Sequence, residues 1–282
     1  MPETFVRLRR AFYNKVRKSK GACVNIKKAR CRLCGPGKKM RRRKSMSFLI
    51  AVHVNEGIVL ASDRRTTYTN TTKTKDGREI QRIGVHMTNS TDKTFICPNG
   101  AGLSACGDAA MLGKPITGYI QEMIRTKIKP DTRIKDMPQI ITDYFGGFKE
   151  KPAAQFMVAG YEETENGKEQ SIYSVSLKNN FTKHEETAAQ GAVWAGEGLT
   201  MARLFSSVAI KNPDGTYTDL KFEEVAWKYF TLQDAVDFAR YAVETTIQTM
   251  HFKNVVETVG GNVDILVITP DETRWLAKEE LS

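Results

Sequence analysis

The sequence predicts an α+β fold in which two β-sheets pack face to face and helices cover their outer faces. Two observations support this prediction. Apolar runs typical of strands and helical apolar periodicities follow one another in the order strands, two helices, strands, two helices, strands. The chain has 282 residues and is 40% hydrophobic, so it can bury a sizeable core. Two stacked sheets with helices outside bury every apolar face that this order supplies.

The first predicted element is a β-hairpin. Residues 47–54 and 58–63 form two mostly apolar runs, and a short polar turn containing Gly57 joins them. The second run ends on Asp63, and the first begins on Ser47. If everything before Ser47 is removed, its hydroxyl becomes a nucleophile on the N-terminal residue, and its own α-amino group can serve as the general base.

The next segment, residues 66–92, is long, polar and rich in Thr, Asn and Lys. It fits either an extended hairpin over the mouth of the site or a solvated surface loop. Two strands and two helices are then predicted, at residues 93–97, 102–105, 116–128 and about 134–144.

The second half of the chain repeats this order. Strands are predicted at residues 155–160, 171–177 and 191–194, followed by a helix over about 199–208. Thr231 and Asp234 resemble a capping box for the last helix. A buried strand at 263–269 and an edge strand at 274–276 complete the pattern.

The positive charge of the chain is confined to its N-terminal part. The whole chain carries a formal net charge of +11, yet residues 1–45 contain 17 Lys and Arg and one acidic residue. Residues 46–282 contain 26 basic and 31 acidic residues and are net negative. This asymmetry predicts a separable basic arm, residues 1–46, ahead of a second unit, residues 47–282.

Three interpretations of the arm stay open. It is a removable propeptide, a tail for nucleic acid or another anionic partner, or a segment that is not translated. The third follows because residues 41–44 can be encoded by a purine-only tract, like a bacterial ribosome-binding site before an initiating Met46. Cys23, Cys31 and Cys34 supply three thiols, whereas a structural zinc normally needs four ligands, so no zinc site is expected.

Composition also bears on the compartment. No apolar run approaches ~18 residues, so no transmembrane helix is indicated. No apolar segment follows the basic start, which argues against a secretory signal. Five unevenly spaced cysteines fit reduced thiols better than a disulfide framework. We therefore expect a cytoplasmic protein without a membrane partner.

Four motifs, taken in order, resemble those of proteasome β subunits and the bacterial proteasome-like peptidase HslV, which are N-terminal-nucleophile hydrolases. They are the hairpin from Ser47 to Ala61-Ser62-Asp63-Arg64-Arg65, the small-residue turn at 104–110, Gly196-Glu197-Gly198, and the strand that follows Gly260-Gly261. The resemblance covers nearly all of residues 47–276. It implies that the two stacked sheets are the four-layer αββα sandwich of that family.

The resemblance also implies a site. Ser47 would be the nucleophile, Lys93 would disfavour protonation of the Ser47 amine, and Asp63 would orient the lysine. The backbone N–H of Gly107 would stabilise the oxyanion. Each residue also has an ordinary structural explanation. Ser47 would be a strand residue, Lys93 a solvated lysine, Asp63 the cap of a strand end and Gly107 part of a tight turn.

Three positions depart from the family pattern. Serine stands at position 47, where proteasome-type enzymes usually carry threonine, and Glu197 stands where serine is usual. Val256 occupies the place of an expected acid, with Glu257 adjacent. A one-residue slip would restore that acid; otherwise the site is less active. Cys106 abuts the presumed pocket and is read as a small core residue.

The function implied by the resemblance is a peptidase that acts on peptides or unfolded proteins through an acyl-Ser47 intermediate. A homo-oligomeric ring is expected, an ATPase partner is left open, and no metal or organic cofactor is implied. Two alternatives share the fold: a non-catalytic, ring-forming subunit and a small-amide hydrolase. A third is a nucleic-acid-binding protein that uses the basic arm, which fails if residues 1–45 are absent from the cellular protein.

Overall fold

A computed structural model describes residues 47–279, with Lys75, Gly77 and Asn166 left out. The strands of its first half are β1 (Phe48–Val54), β2 (Gly57–Asp63), β3 (Thr66–Lys73), β4 (Glu79–Thr88), β5 (Thr94–Ile96), β6 (Gly102–Gly107), β7 (Ala110–Met111) and β8 (Lys114–Pro115). Those of its second half are β9 (Ala154–Thr164), β10 (Gly167–Ser176), β11 (Phe181–His184), β12 (Gly191–Gly196), β13 (Ala209–Lys211), β14 (Tyr217–Asp219), β15 (Val263–Ile268) and β16 (Thr273–Ala277). The helices are α1 (Ile116–Lys127), α2 (Met137–Gly146), α3 (Leu199–Phe205) and α4 (Leu232–His251). The predicted arm, residues 1–46, lies outside the described residues.

Two five-stranded antiparallel sheets carry the fold. The first sheet has the strand order β12-β1-β2-β15-β16, and the second has the order β11-β10-β9-β6-β5. Strands β1 and β2 form the predicted hairpin, in which Leu49 pairs with Ser62 and Val54 pairs with Gly57. The start of β1 and the end of β2 therefore lie side by side at one end of the sheet.

The core is divided among three layers of side chains. The two sheets meet through eight buried residues: Ala51, Ile58, Leu60, Met157, Ala159, Ile172, Leu266 and Ile268. Helices α3 and α4 pack on the outer face of the first sheet, and α1 and α2 pack on the outer face of the second. The molecule is a four-layer αββα sandwich, which confirms the predicted fold class.

Local sequence explains the long helix α4. Its apolar residues recur on one face, and that face packs against β1 and β2. The predicted capping box forms, because the Thr231 hydroxyl accepts a bond from Asp234 N while the Asp234 carboxylate accepts one from Thr231 N. The helix is thereby fixed at its N-terminus, directly beside the β1–β2 turn, where Leu232 N donates to the Glu56 carboxylate.

The polar segment after β2 is an extended hairpin and not an irregular loop. Strands β3 and β4 pair antiparallel from Thr66 opposite Thr88 to Lys73 opposite Glu79, with a bulge after Tyr68. Five of the eight residues of β3 are Thr, which has a high β propensity although the segment is not hydrophobic. Among the described residues, no helix is long and apolar enough to cross a membrane.

Candidate active site

Ser47 lies at the entrance to β1, with 6% of its surface exposed and a φ of +98°. Its carbonyl oxygen accepts a hydrogen bond from Glu197 N at 2.9 Å. A Cβ placed on Gly196 would lie 2.1 Å from that same oxygen, so only glycine allows the β12 turn to approach Ser47 this closely. The Gly196-Glu197-Gly198 motif therefore positions the backbone of Ser47.

Asp63, at the end of β2, is fully buried and joins the parts of the site. Its Oδ1 accepts hydrogen bonds from Phe48 N at 2.9 Å and Lys93 Nζ at 2.8 Å. Its Oδ2 accepts from Gly260 N at 2.9 Å and Arg65 N at 3.1 Å. One carboxylate thus holds the residue after Ser47, the lysine and the late Gly-Gly turn together.

Lys93, just before β5, is also buried, and its ammonium group donates to Asp63 and to the carbonyl oxygen of Arg65. Burial lowers the pKa of Lys93, and the neighbouring Asp63 carboxylate opposes this shift. The result is a desolvated cation held in one position, next to the start of β1.

A chain of buried hydroxyls links the two sheets beside this ion pair. Ser62, Thr94 and Ser104 are joined by hydroxyl–hydroxyl bonds of 2.9 and 2.8 Å. Ser62 precedes Asp63, and Thr94 follows Lys93, so the chain fixes the strand that carries the acid relative to the strand that carries the lysine. Ser62 and Ser104 lie in motifs that the sequence singles out, but sequence reasoning missed the hydroxyl chain that joins them through Thr94, because isolated Ser and Thr in strands give no distinctive signal.

Gly107 ends β6, with a φ of +124°. A Cβ at this position would lie 2.3 Å from the Ala153 carbonyl oxygen, so a larger residue would displace the backbone of β9. Asp108 accepts a hydrogen bond from Ala153 N at 2.7 Å and holds the same turn closed. From the sequence, the ordinary explanation of Gly107 is a tight turn. The geometry shows that this turn requires glycine.

Ser47, Lys93 and Gly107 line one pocket together with Cys106 and the base of β3. Asp63 does not line this pocket but holds Lys93, which does, through a hydrogen bond to its ammonium group. The Cys106 thiol is buried, and burial raises its pKa to about 12, so it stays protonated and is a poor nucleophile. The pocket therefore brings Ser47, the buried Lys93 and the Gly107 turn together.

Glu257 does not lie among the residues that line this pocket in the described part of the chain. Its carboxylate binds Arg65 at 2.5 Å and His251 at 3.0 Å, and both interactions lower the pKa of Glu257. The neighbouring Val256 is partly exposed. The alternative in which a one-residue slip brings an acid to the site is therefore not favoured by these contacts.

A second buried ion pair braces the site from the side of β15. Arg64 is 2% exposed and donates to both oxygens of Asp264, at 2.8 and 3.1 Å, and to Asp92 at 2.9 Å. Burial raises the pKa of Asp264, and Arg64 opposes that shift. Arg64 and Asp264 both belong to motifs that the sequence singles out, but spacing alone does not reveal that they form a pair.

Within the described residues, no group of three or more His, Cys, Asp or Glu is arranged to hold a metal.

Comparison with known proteins agrees with this fold. No protein-family model matches the chain. The chain is 22% identical over 233 residues to proteasome subunit beta 1 of Thermococcus onnurineus, an alignment that spans 82% of this chain and 93% of that subunit. This similarity supports the resemblance to proteasome β subunits and does not point to HslV in particular.

Solved structures show the same architecture. Anbu (ancestral β-subunit) from Yersinia bercovieri superposes with a TM-score of 0.50 at 12% identity, over 82% of this chain and 88% of that one. A Gly-1 mutant of Anbu from Hyphomicrobium sp. strain MC1 also gives 0.50, at 13% identity, over 84% and 87%. The fold is thus of the proteasome β-subunit type, and at this identity the likeness concerns the fold alone.

Proposed function

We propose that this chain is a proteasome-like peptidase that cleaves peptide bonds through Ser47 once residues 1–46 have been removed. The observation that carries the proposal is the Asp63 carboxylate, which binds both Lys93 Nζ and the backbone of the residue that follows Ser47. The similarity to a proteasome β subunit adds support.

In the proposed reaction, Ser47 Oγ attacks the carbonyl carbon of the scissile peptide while its proton passes to the free Ser47 amine. The charge of Lys93 disfavours protonation of that amine beforehand and so keeps it basic. Gly107 N–H stabilises the oxyanion, which is worth on the order of 10²–10³ in rate. The amine then protonates the leaving nitrogen, and water hydrolyses the acyl-Ser47 ester.

The proposal includes assembly. The relatives are described as subunits, and a ring of copies of this chain would enclose the pockets and restrict them to peptides or unfolded proteins. An ATPase partner and a cytoplasmic location stay predictions from the sequence. A non-catalytic subunit is the alternative, favoured by Glu257, whose carboxylate is engaged with Arg65 and His251.

Determination of the mature N-terminus tests the proposal most directly. Intact-mass analysis and N-terminal sequencing of the protein from its native cell should give a chain that starts at Ser47. Either removal of Met46 by an aminopeptidase or cleavage of the Met46–Ser47 bond produces this end. An active preparation that retains residues 1–46 would refute the mechanism, because a Ser47 nitrogen in a peptide bond cannot act as a base.

A further inference from the structure

Two oxygens in the described part of the chain hold the ammonium group of Lys93. They are Asp63 Oδ1, at 2.8 Å, and the carbonyl oxygen of Arg65, at 2.5 Å. Asp63 belongs to β2 and is held by that strand, whereas Arg65 lies in the connection between β2 and β3, outside both strands. The position of the second acceptor therefore depends on what holds Arg65.

The late Gly-Gly turn holds part of Arg65. The Arg65 N–H donates to the Gly260 carbonyl oxygen at 2.8 Å, and the guanidinium group lies against the same glycine. A Cβ placed on Gly260 would lie 2.5 Å from Arg65 Cζ, so only glycine leaves room for the arginine side chain. The backbone of Arg65 and the path of its side chain are thus tied to one turn.

Glu257 fixes the end of the Arg65 side chain. Arg65 Nη1 donates to Glu257 Oε2 at 2.5 Å, and Arg65 Nε donates to Asn89 Oδ1 at 2.9 Å. Arg65 is only 18% exposed, so the ion pair is partly shielded from solvent. The other carboxylate oxygen of Glu257 is bound to His251 Nδ1 at 3.0 Å, at the end of α4. With both oxygens engaged, the carboxylate is held in one orientation.

We propose that Glu257 is a positioning residue for Lys93, an inference that rests on the proposed function. Its carboxylate fixes the side chain of Arg65, and Arg65 presents the carbonyl oxygen that holds the lysine ammonium group. Glu257 itself is not among the described residues that line the pocket. Its effect on catalysis passes through Arg65 to the charge that keeps the Ser47 amine basic.

The titration of the Ser47 amine separates positioning from a direct effect of charge. A carboxylate favours the protonated form of a nearby amine, so loss of the Glu257 charge by itself would move this titration to lower pH. A cation that is less closely held has the opposite effect, because it disfavours protonation of the amine less strongly. The proposal therefore requires a move to higher pH when Glu257 is replaced.

The test measures this titration separately from hydrolysis. Each protein is expressed as the full chain, and intact mass confirms processing to Ser47. Competitive acetylation over a pH series, with the N-terminal peptide quantified by mass spectrometry, reports the titration of the Ser47 amine without any need for turnover. Values of kcat and KM for an unfolded-protein substrate are measured on the same preparations.

The variants are chosen to isolate the contact between Glu257 and Arg65. They are Glu257→Ala, Glu257→Gln, Arg65→Met, and Glu257→Ala combined with Arg65→Met. The matched control is Glu272→Ala, which breaks an exposed carboxylate pair with Arg274, of 2.8 Å, on the β15–β16 turn. Circular dichroism and the thermal midpoint of each variant report folding. If Glu257→Ala does not fold, Glu257→Gln, which keeps an oxygen that accepts from Arg65, is used in its place.

We expect Glu257→Ala to move the titration of the Ser47 amine to higher pH and to lower kcat at neutral pH about tenfold, with KM unchanged. Glu257→Gln should show a smaller change in the same direction, and Glu272→Ala should match the wild type. Because Glu257 acts through Arg65, adding Glu257→Ala to Arg65→Met should cause no further loss of kcat.

Three results would overturn the proposal. They are a titration that is unchanged or moves to lower pH, a loss that appears in KM, and losses that multiply in the double variant. Failure of the proposed function has a different signature, since a wild-type chain that starts at Ser47 would then show no hydrolysis. The acetylation titration would still decide whether Glu257 positions the lysine.

Discussion

At the residue scale, the proposed chemistry depends on the hydroxyl of Ser47. Ser47→Ala should abolish peptide hydrolysis, because the proposed nucleophile is removed, while Ser47→Thr should retain it because the hydroxyl is kept. Turnover of an unfolded-protein substrate, with circular dichroism of each variant, provides the measurement. Hydrolysis that persists at the wild-type rate in Ser47→Ala would assign the activity to another residue.

Lys93 is the second residue to test. Lys93→Ala should lower turnover by several orders of magnitude with folding intact, because the Ser47 amine would lose the neighbouring cation. The substitution also leaves the buried Asp63 carboxylate without its partner, which is itself destabilising.

The pH profile of turnover separates these two effects. Without the neighbouring cation the Ser47 amine stays protonated to higher pH, so the residual turnover of Lys93→Met should move to higher pH. A profile of unchanged shape with uniformly lower turnover would show that Lys93 acts only in folding.

Two substitutions test why position 107 requires glycine: because the neighbouring backbone lies so close, or because its φ is positive. Gly107→Ala should strongly reduce both turnover and stability, because its Cβ would lie 2.3 Å from the Ala153 carbonyl oxygen. Gly113→Ala is the matched control: Gly113 also has a positive φ, of +76°, but no atom lies within 4 Å of its Cβ position. Equal thermal destabilisation by the two substitutions would show that φ, and not the close approach of β9, is what requires glycine at 107.

At the element scale, apolar patterns in the sequence predict the buried part of each strand or helix. They do not predict how far the element continues beyond the core. The strand predicted at 155–160 is observed as β9 (Ala154–Thr164), because its polar end pairs with β10 outside the apolar layer. The helix predicted to reach Val208 ends at Phe205. Val208 accepts a backbone bond from Leu220 N and leads into β13, a tertiary pairing that the continuing apolar pattern does not reveal.

Capping chemistry was predictable because it is local. Both bonds of the box between Thr231 and Asp234 are formed at the start of α4. Thr231→Ala should lower the free energy of unfolding by about 1 kcal/mol. Chemical denaturation of Thr231→Ala, Asp234→Ala and the double variant measures the coupling, and additive effects of the two single substitutions would contradict a reciprocal box.

At the scale of the whole molecule, the site lies where motifs distant in the sequence meet. The sequence predicted Ser47, Asp63, Lys93 and Gly107 through their resemblance to a family, and the fold brings three of them to one pocket, with Asp63 bound to Lys93. Their catalytic roles stay predictions. The resemblance carried no information on the Ser62–Thr94–Ser104 hydroxyl chain or on the partners of Glu257, because these depend on contacts between strands.

At the far end of β1, a buried histidine should make the stability of the whole molecule sensitive to acid. His53 is 3% exposed, and its Nδ1 has no hydrogen-bond partner among the described residues. Burial lowers the pKa of His53 below its usual 6.5, and the nearby carboxylates of Glu185 and Glu186 only partly oppose this. Below pH 6.5 the unfolded chain therefore takes up a proton that the folded chain resists, and the free energy of unfolding falls as the pH falls.

His53→Gln removes this titration while keeping a polar side chain of similar size. The midpoint of thermal unfolding should fall less between pH 7.5 and pH 5.5 in His53→Gln than in the wild type. At pH 7.5 the imidazole is neutral in both states, so the difference between the two proteins there reports packing alone and serves as the reference. Parallel midpoint curves for the two proteins over this range would show that His53 is not the source of acid sensitivity, and that another buried group, such as the Arg64–Asp264 pair, should be tested instead.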